Sequence, residues 1–243
     1  VAAAVYAWLW GILLTVTGDP MPTNPSLTKD QILARIAREW LVAVVRAETD
    51  EQARRIAAAL LEGGVSVIEI TFTCPDPPHI IRALAREAPG DLLVGAGTVY
   101  TRDQARAAID AGAQFVVSPG IVEEVLAETR ARGVASMPGA VTGTEVLAAL
   151  RLGADVIKMF PGSTFGPAYV KALRGPLPDL RVMPTGGVSL GNLKEWRDAG
   201  VIAVGVGTEL TPKDAVKAGR YAVITARARE FTAAVRGLAP APR

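Results

Sequence analysis

Lys158 stands in the middle of an apolar run, Asp155-Val156-Ile157-Lys158-Met159-Phe160, and is one of only six lysines in the chain. Glu69 is placed in the same way within Val67-Ile68-Glu69-Ile70-Thr71. If both runs are strands, alternation puts Val156, Lys158 and Phe160 on one face against Ile157 and Met159, and Val67, Glu69 and Thr71 against Ile68, Ile70 and Phe72. Burying an ammonium or a carboxylate is costly unless the group is paired or neutral. A buried Lys158–Glu69 ion pair that only ties strands together is one reading, but such pairs are weak stabilisers and apolar replacements often serve as well. The other reading is chemical. Burial and a neighbouring cation such as Arg46 favour the neutral amine, which attacks carbonyls to form a Schiff base, and Glu69 is then placed to shuttle protons directly or through a water.

The rest of the inventory narrows the alternatives. One cysteine, Cys74, and one histidine, His79, exclude an internal disulfide, zinc sites of the usual Cys/His kind and any catalytic triad not built on His79, so no metal ligand set and no cofactor are expected. Net charge is +2 from 26 basic and 24 acidic residues, without runs of one sign, which leaves no footprint for nucleic acid or an anionic membrane. Cys74 reads as a small loop residue, His79 as part of a first helical turn, and Trp196 and Phe231 as packing residues.

The elements that must position Lys158 and Glu69 recur regularly. Short β-branched runs fall at 41–46, 66–72, 92–96, 114–118, 134–137, 155–160, 181–185 and 201–205. Between them lie stretches with helical periodicity, including 50–62, 76–87, 102–111, 121–132 and 144–152. Glycines close many of these at Gly63-Gly64, Gly112, Gly133, Gly153 and Gly200, as left-handed stops do. Eight strands, each followed by a helix, predict a (β/α)8 TIM barrel, an α/β fold in a single domain, and 243 residues suit its usual size of about 250. An open doubly wound sheet is disfavoured because the first turn, Arg46-Ala47-Glu48-Thr49-Asp50, has no phosphate-binding glycines. An extra N-terminal helix is expected over 26–40.

Strand parity and order also place the other candidates. Arg46 falls at the end of the first strand, Thr98 just past the third and Thr185 at the end of the seventh. Barrels commonly hold phosphate in the loops after strands seven and eight, and here those loops carry Pro184-Thr185-Gly186-Gly187 and Val204-Gly205-Val206-Gly207-Thr208. Ordinary tight turns are the competing reading of these glycines. Residues 1–17 are apolar but short of the usual span of about 20 residues and carry no basic flank. Residues 1–25 are therefore expected to be a leader or an over-extended start outside the fold, with 26–243 forming the barrel, and membrane tethering stands as the alternative.

Taken together, Val44-Val45-Arg46-Ala47, Glu69-Ile70-Thr71, Gly95-Ala96-Gly97-Thr98-Val99, Val117-Ser118-Pro119-Gly120, Met137-Pro138-Gly139, Ile157-Lys158-Met159-Phe160-Pro161 and Pro184-Thr185-Gly186-Gly187-Val188 occur in the order found in bacterial 2-keto-3-deoxy-6-phosphogluconate (KDPG) and 4-hydroxy-2-oxoglutarate (KHG) aldolases. The chain resembles that family over about residues 30–236. The resemblance implies a class I, metal-free, cytoplasmic lyase, usually a homotrimer, that splits a phosphorylated ketoacid into pyruvate and glyceraldehyde 3-phosphate. It implies Lys158 as the imine lysine and Glu69 as general acid/base. Thr98, Pro119 and Phe160 would shape the pyruvate end, with Arg46 as a carboxylate contact. Thr185 would influence facial selectivity, and Gly186, Gly187, Gly207 and Thr208 would hold the phosphate. Some members carry an arginine four residues after the glutamate to bind the carboxylate, whereas this chain has Thr73. The sister aldolase acting on the galactonate-derived phosphate is an alternative with which Phe165-Gly166-Pro167 is compatible; a barrel isomerase or epimerase without imine chemistry is a more distant one.

Overall fold

The computed structural model describes residues 27–87 and 92–238. The proposed leader, 1–25, lies outside the described residues. The first helix, α1 (Lys29–Glu39), starts on a capping box in which the Thr28 hydroxyl accepts the Gln31 N–H and the Gln31 side chain accepts the Thr28 N–H. Eight strands follow, alternating with helices. They are β1 (Leu41–Val45), β2 (Val67–Thr71), β3 (Leu93–Gly97), β4 (Phe115–Val117), β5 (Ala135–Met137), β6 (Ile157–Met159), β7 (Val182–Pro184) and β8 (Val204–Val206). The helices between them are α2 (Asp50–Glu62), α3 (Pro77–Glu87), α4 (Arg102–Asp110), α5 (Glu123–Ala131), α6 (Gly143–Arg151), α7 (Gly162–Arg174) and α8 (Leu193–Asp198), with α9 (Lys213–Lys217) and α10 (Tyr221–Arg236) closing the order.

All strand pairs are parallel, in the order β5-β4-β3-β2-β1-β8 and β6-β7. Single bridges, Gly139 to Lys158 and Thr185 to Gly205, join the two groups and close the ring. The expected barrel is therefore present, and alternation divides its core into two layers. Ile68, Ile70, Val94, Ala96, Val116, Ile157, Met159 and Val182 pack outward under the helices. Val42, Val67, Leu93, Phe115, Val156, Met183 and Ala203 pack inward, and α1 adds Ile32, Leu33 and Ile36 to that inner cluster. The helix plugs one end of the barrel, pinned by a 2.8 Å ion pair from Lys29 to Asp155. Asp155 in turn accepts the Ser136 N–H and hydroxyl at 2.9 and 3.1 Å.

Two expectations shift. The eighth strand begins at Val204 rather than 201. The Val201 carbonyl accepts the indole N–H of Trp40 at 3.0 Å and the Ile202 N–H goes to Val182, so pairing with β1 starts only where Val204 meets Leu41. Gly64, Gly133 and Gly153 do close helices with φ of 88°, 65° and 87°, but within the Gly63-Gly64 pair Gly63 caps α2 with an ordinary φ of −79°. Its lack of a side chain serves contact instead, because a Cβ there would overlap the Ala228 methyl of α10. Trp196 and Phe231 are fully buried, as expected of packing residues.

Candidate active site

Lys158 and Glu69 reach the same place from opposite sides of the ring. Lys158 lies on β6, fixed by its N–H to the Pro138 carbonyl at 2.9 Å and by its carbonyl accepting the Ala140 N–H at 3.1 Å. Glu69 lies on β2, in register with Val44 and Gly95 of the flanking strands. The Lys158 Nζ is 3.9 Å from Glu69 Oε1, with the lysine side chain 8% exposed and the glutamate fully buried. That separation exceeds hydrogen-bond distance. Neither carboxylate oxygen of Glu69 has a hydrogen-bond partner. A buried carboxylate without hydrogen bonds is costly, so the pair is better suited to engaging a ligand than to holding strands together.

Most of the sequence candidates gather in one cleft whose lining includes neither Lys158 nor Glu69 and meets the pair through Phe160. Phe160 lies just beyond Lys158, its ring centroid 5.8 Å from the Nζ and half of its surface open. Arg46, Phe160, Thr185, Gly186, Gly187, Gly207 and Thr208 line one cleft of about 360 Å³ with Val44 and Gly205. Thr185 is buried and its Oγ1 has no protein partner. Gly186 and Gly187 have φ of 82° and 77°, conformations that expose backbone where side chains would strain. A Cβ on Gly139, which bridges Lys158, would overlap the Pro119 carbonyl, so Pro119 is packed beside the lysine's strand partner. Thr98 holds a left-handed φ of 58° directly after Gly97, the residue that faces Glu69.

Thr73 stands apart. It lines a second, wider cleft of about 620 Å³ with Glu48, Gln52, Lys213 and Lys217, joined to the first through Val44, Arg46 and Thr208. Cys74 is buried, taking the Ala47 N–H on its sulfur at 3.3 Å, which fits a loop-packing residue. His79 is in the first turn of α3, 3.3 Å from an Arg54 guanidinium nitrogen. Among the described residues, no group of three or more His, Cys, Asp or Glu side chains is placed to hold a metal ion.

Residues not singled out from sequence also enter the first cleft, namely Val188, Ser189 and Glu209. Ser163 belongs with them in space, since its N–H donates to the Gly186 carbonyl at 3.0 Å and a Cβ on Gly187 would overlap it. Its position in the first turn of the helix after the lysine strand was the available signal. No described helix is long and apolar enough to cross a membrane.

Comparison with known proteins agrees with this geometry. The family model for KDPG and KHG aldolases matches residues 32–227. A 2-dehydro-3-deoxy-phosphogluconate aldolase of Treponema pallidum is 38% identical over 201 residues, 82% of this chain and 95% of that protein. A 2-dehydro-3-deoxy-6-phosphogalactonate aldolase of Escherichia coli is 39% identical over 172 residues, covering 70% and 83%. Among solved structures, a KDPG aldolase of Legionella pneumophila, with pyruvate captured at low pH as a covalent carbinolamine intermediate, superposes with a TM-score of 0.76 at 31% identity, covering 82% of this chain and 97% of that one.

Proposed function

This chain belongs to the KDPG and KHG aldolase family, and we propose that it is a class I aldolase that cleaves 2-dehydro-3-deoxy-6-phosphogluconate to pyruvate and glyceraldehyde 3-phosphate through an imine on Lys158. The observation that carries this reading is the buried amine 3.9 Å from a buried carboxylate that has no other polar partner. In this mechanism the Lys158 Nζ adds to the C2 carbonyl, and loss of water from the carbinolamine leaves a protonated imine. Glu69, directly or through a water, removes the C4 hydroxyl proton. The C3–C4 electron pair then flows into the imine as the bond breaks, releasing the aldehyde. Protonation of the enamine at C3 and hydrolysis free pyruvate and the amine.

Arg46, Thr98, Pro119 and Phe160 are assigned to the ketoacid end, and Gly186, Gly187, Gly207 and Thr208 to the phosphate. The shared cleft supports the phosphate assignment, because glycine-rich turns after the seventh and eighth strands offer backbone N–H groups. Thr73, with no arginine in its place, is assigned a lesser contact at the edge of the wider cleft. The unpartnered Thr185 hydroxyl offers a hydrogen bond to the substrate hydroxyl at C4, the centre at which the gluconate and galactonate compounds differ. Cleavage of 4-hydroxy-2-oxoglutarate to pyruvate and glyoxylate uses the same lysine and carboxylate and is proposed as a secondary activity.

A second reading is cleavage of 2-dehydro-3-deoxy-6-phosphogalactonate, favoured by the similarity to the E. coli enzyme of that name. Pyruvate release from the two epimers, followed separately, discriminates between them. The gluconate compound is expected to have the higher kcat/KM; a preference for the galactonate compound would overturn the first reading. The family also supports a cytoplasmic homotrimer working in gluconate breakdown by the Entner-Doudoroff route; a monomeric sedimentation mass would contradict the trimer. Residues 26–243 are proposed to carry all of the activity. A chain started at Met21 should match the full chain, and loss of activity would contradict that boundary.

A further inference from the structure

Glu69 and Thr185 share an unusual situation. Both face the barrel interior, both are buried, and their side-chain oxygens have no hydrogen-bond partner. Hydrogen bonds therefore do not fix where these oxygens point. Each instead faces a glycine. A Cβ on Gly97 of β3 would overlap the Glu69 carboxylate, and a Cβ on Gly205 of β8 would overlap the Thr185 Oγ1. Both glycines project inward, in phase with Leu93 and Ala203 of the inner cluster. We infer that Gly97 and Gly205 are positioning residues, each an empty socket that sets where the neighbouring oxygen sits, Gly97 for proton transfer by Glu69 and Gly205 for epimer choice by Thr185.

The other close glycines differ in what they press on. A Cβ on Gly95 would overlap the Phe115 ring in the sealed inner cluster, and one on Gly139 would overlap the Pro119 backbone. Those contacts cannot yield without repacking or moving main chain. At Gly97 the obstacle is the flexible Glu69 side chain from Cγ outward, and at Gly205 it is chiefly the Thr185 hydroxyl, which a change of rotamer moves aside. An alanine at either position is thus accommodated by moving the functional oxygen.

The inference rests on the imine reading of Lys158, and the test separates the two. Borohydride trapping of pyruvate on Lys158 reports imine formation, and deuterium exchange into the pyruvate methyl group, followed by NMR, reports proton transfer. Gly97→Ala is expected to trap pyruvate to within about twofold of the parent while exchange and kcat fall about a hundredfold with KM little changed, in line with typical acid/base contributions. Gly205→Ala should retain exchange and move the ratio of kcat/KM for the two C4 epimers by about tenfold, the discrimination of one moderate hydrogen bond. Gly95→Ala is expected to lower thermal stability instead.

In a Glu69→Ala background, where Cγ and the carboxylate that a Gly97 Cβ would overlap are both gone, Gly97→Ala should cost little more. If Gly97→Ala alone does not fold, Glu69→Ala should restore folding. Parental exchange in Gly97→Ala, equal loss of trapping and exchange, an unchanged epimer ratio in Gly205→Ala, or no coupling to Glu69→Ala would overturn the assignment of the respective socket. Absence of trapping in the parent chain would instead overturn the imine reading itself.

Discussion

The two ends of the barrel interior are built from the same strands and differ in almost everything else. At the closed end stand Val42, Val67, Leu93, Val156, Met183 and Ala203, packed with Phe115 and sealed by Ile32, Leu33 and Ile36 of α1. Two residues further along those strands stand Val44, Glu69, Gly95, Lys158, Thr185 and Gly205. The step is about 6 to 7 Å, at roughly 3.3 Å per strand residue. Over that distance a carbon-filled layer gives way to an amine, a carboxylate and a hydroxyl, the latter two without hydrogen-bond partners. The closed end holds the strands together and keeps water from entering behind the site. The open end can then carry groups whose burial is unfavourable until a ligand engages them.

Substitutions at the two ends should therefore separate turnover from stability. Lys158→Ala is expected to reduce cleavage to the assay background with the fold intact by circular dichroism, because no second lysine lies within the barrel interior among the described residues. Phe115→Ala, in the sealed layer, should cost about 3 to 5 kcal/mol in chemical denaturation, with kcat per folded molecule near the parent's. Glu69→Gln should lower kcat about a hundredfold, roughly 2.7 kcal/mol of barrier, and leave pyruvate trapping in place. Lys29→Met, which removes the exposed end of the plug's ion pair, should change stability by less than about 1 kcal/mol.

The smallest effect belongs to a control on the outer ring. The Thr142 and Val141 backbone N–H groups, at 2.8 and 3.0 Å, hold the Glu145 carboxyl below its usual value, helped by the Thr142 hydroxyl. Its folded-state value being the lower one, its contribution is complete above the unfolded carboxylate's pKa and is lost as pH falls through the lowered value. Glu145→Ala should give a slight loss of melting temperature at neutral pH that vanishes in acid, with no change in kcat.

Much of this division was legible in the chain because alternation is a short-range property. Ile68 and Ile70 against Glu69, and Ile157 and Met159 against Lys158, fixed which face carried the chemistry before any partner strand was known. The strand-helix rhythm likewise anticipated β1 to β7 to within a residue or two at most ends. What was not legible depends on contacts between distant positions. The start of β8 is set by Trp40 reaching Val201 across the base of the barrel. Gly63 is a contact for Ala228 as well as part of the turn that Gly64 completes, and Thr73 opens onto Lys213 and Lys217 rather than the first cleft. The sockets at Gly97 and Gly205 also needed the register between strands, since a glycine in an apolar run does not reveal which side chain it faces.

The contrast between the two ends rests on Lys158 being a nucleophile and not merely a buried cation. Incubation with pyruvate and borohydride, followed by peptide mapping, tests that most directly. A reduced pyruvyl adduct on Lys158 alone, absent without borohydride and blocked in Lys158→Ala, is the expected result. No adduct, or one on any of the other five lysines, would contradict the account.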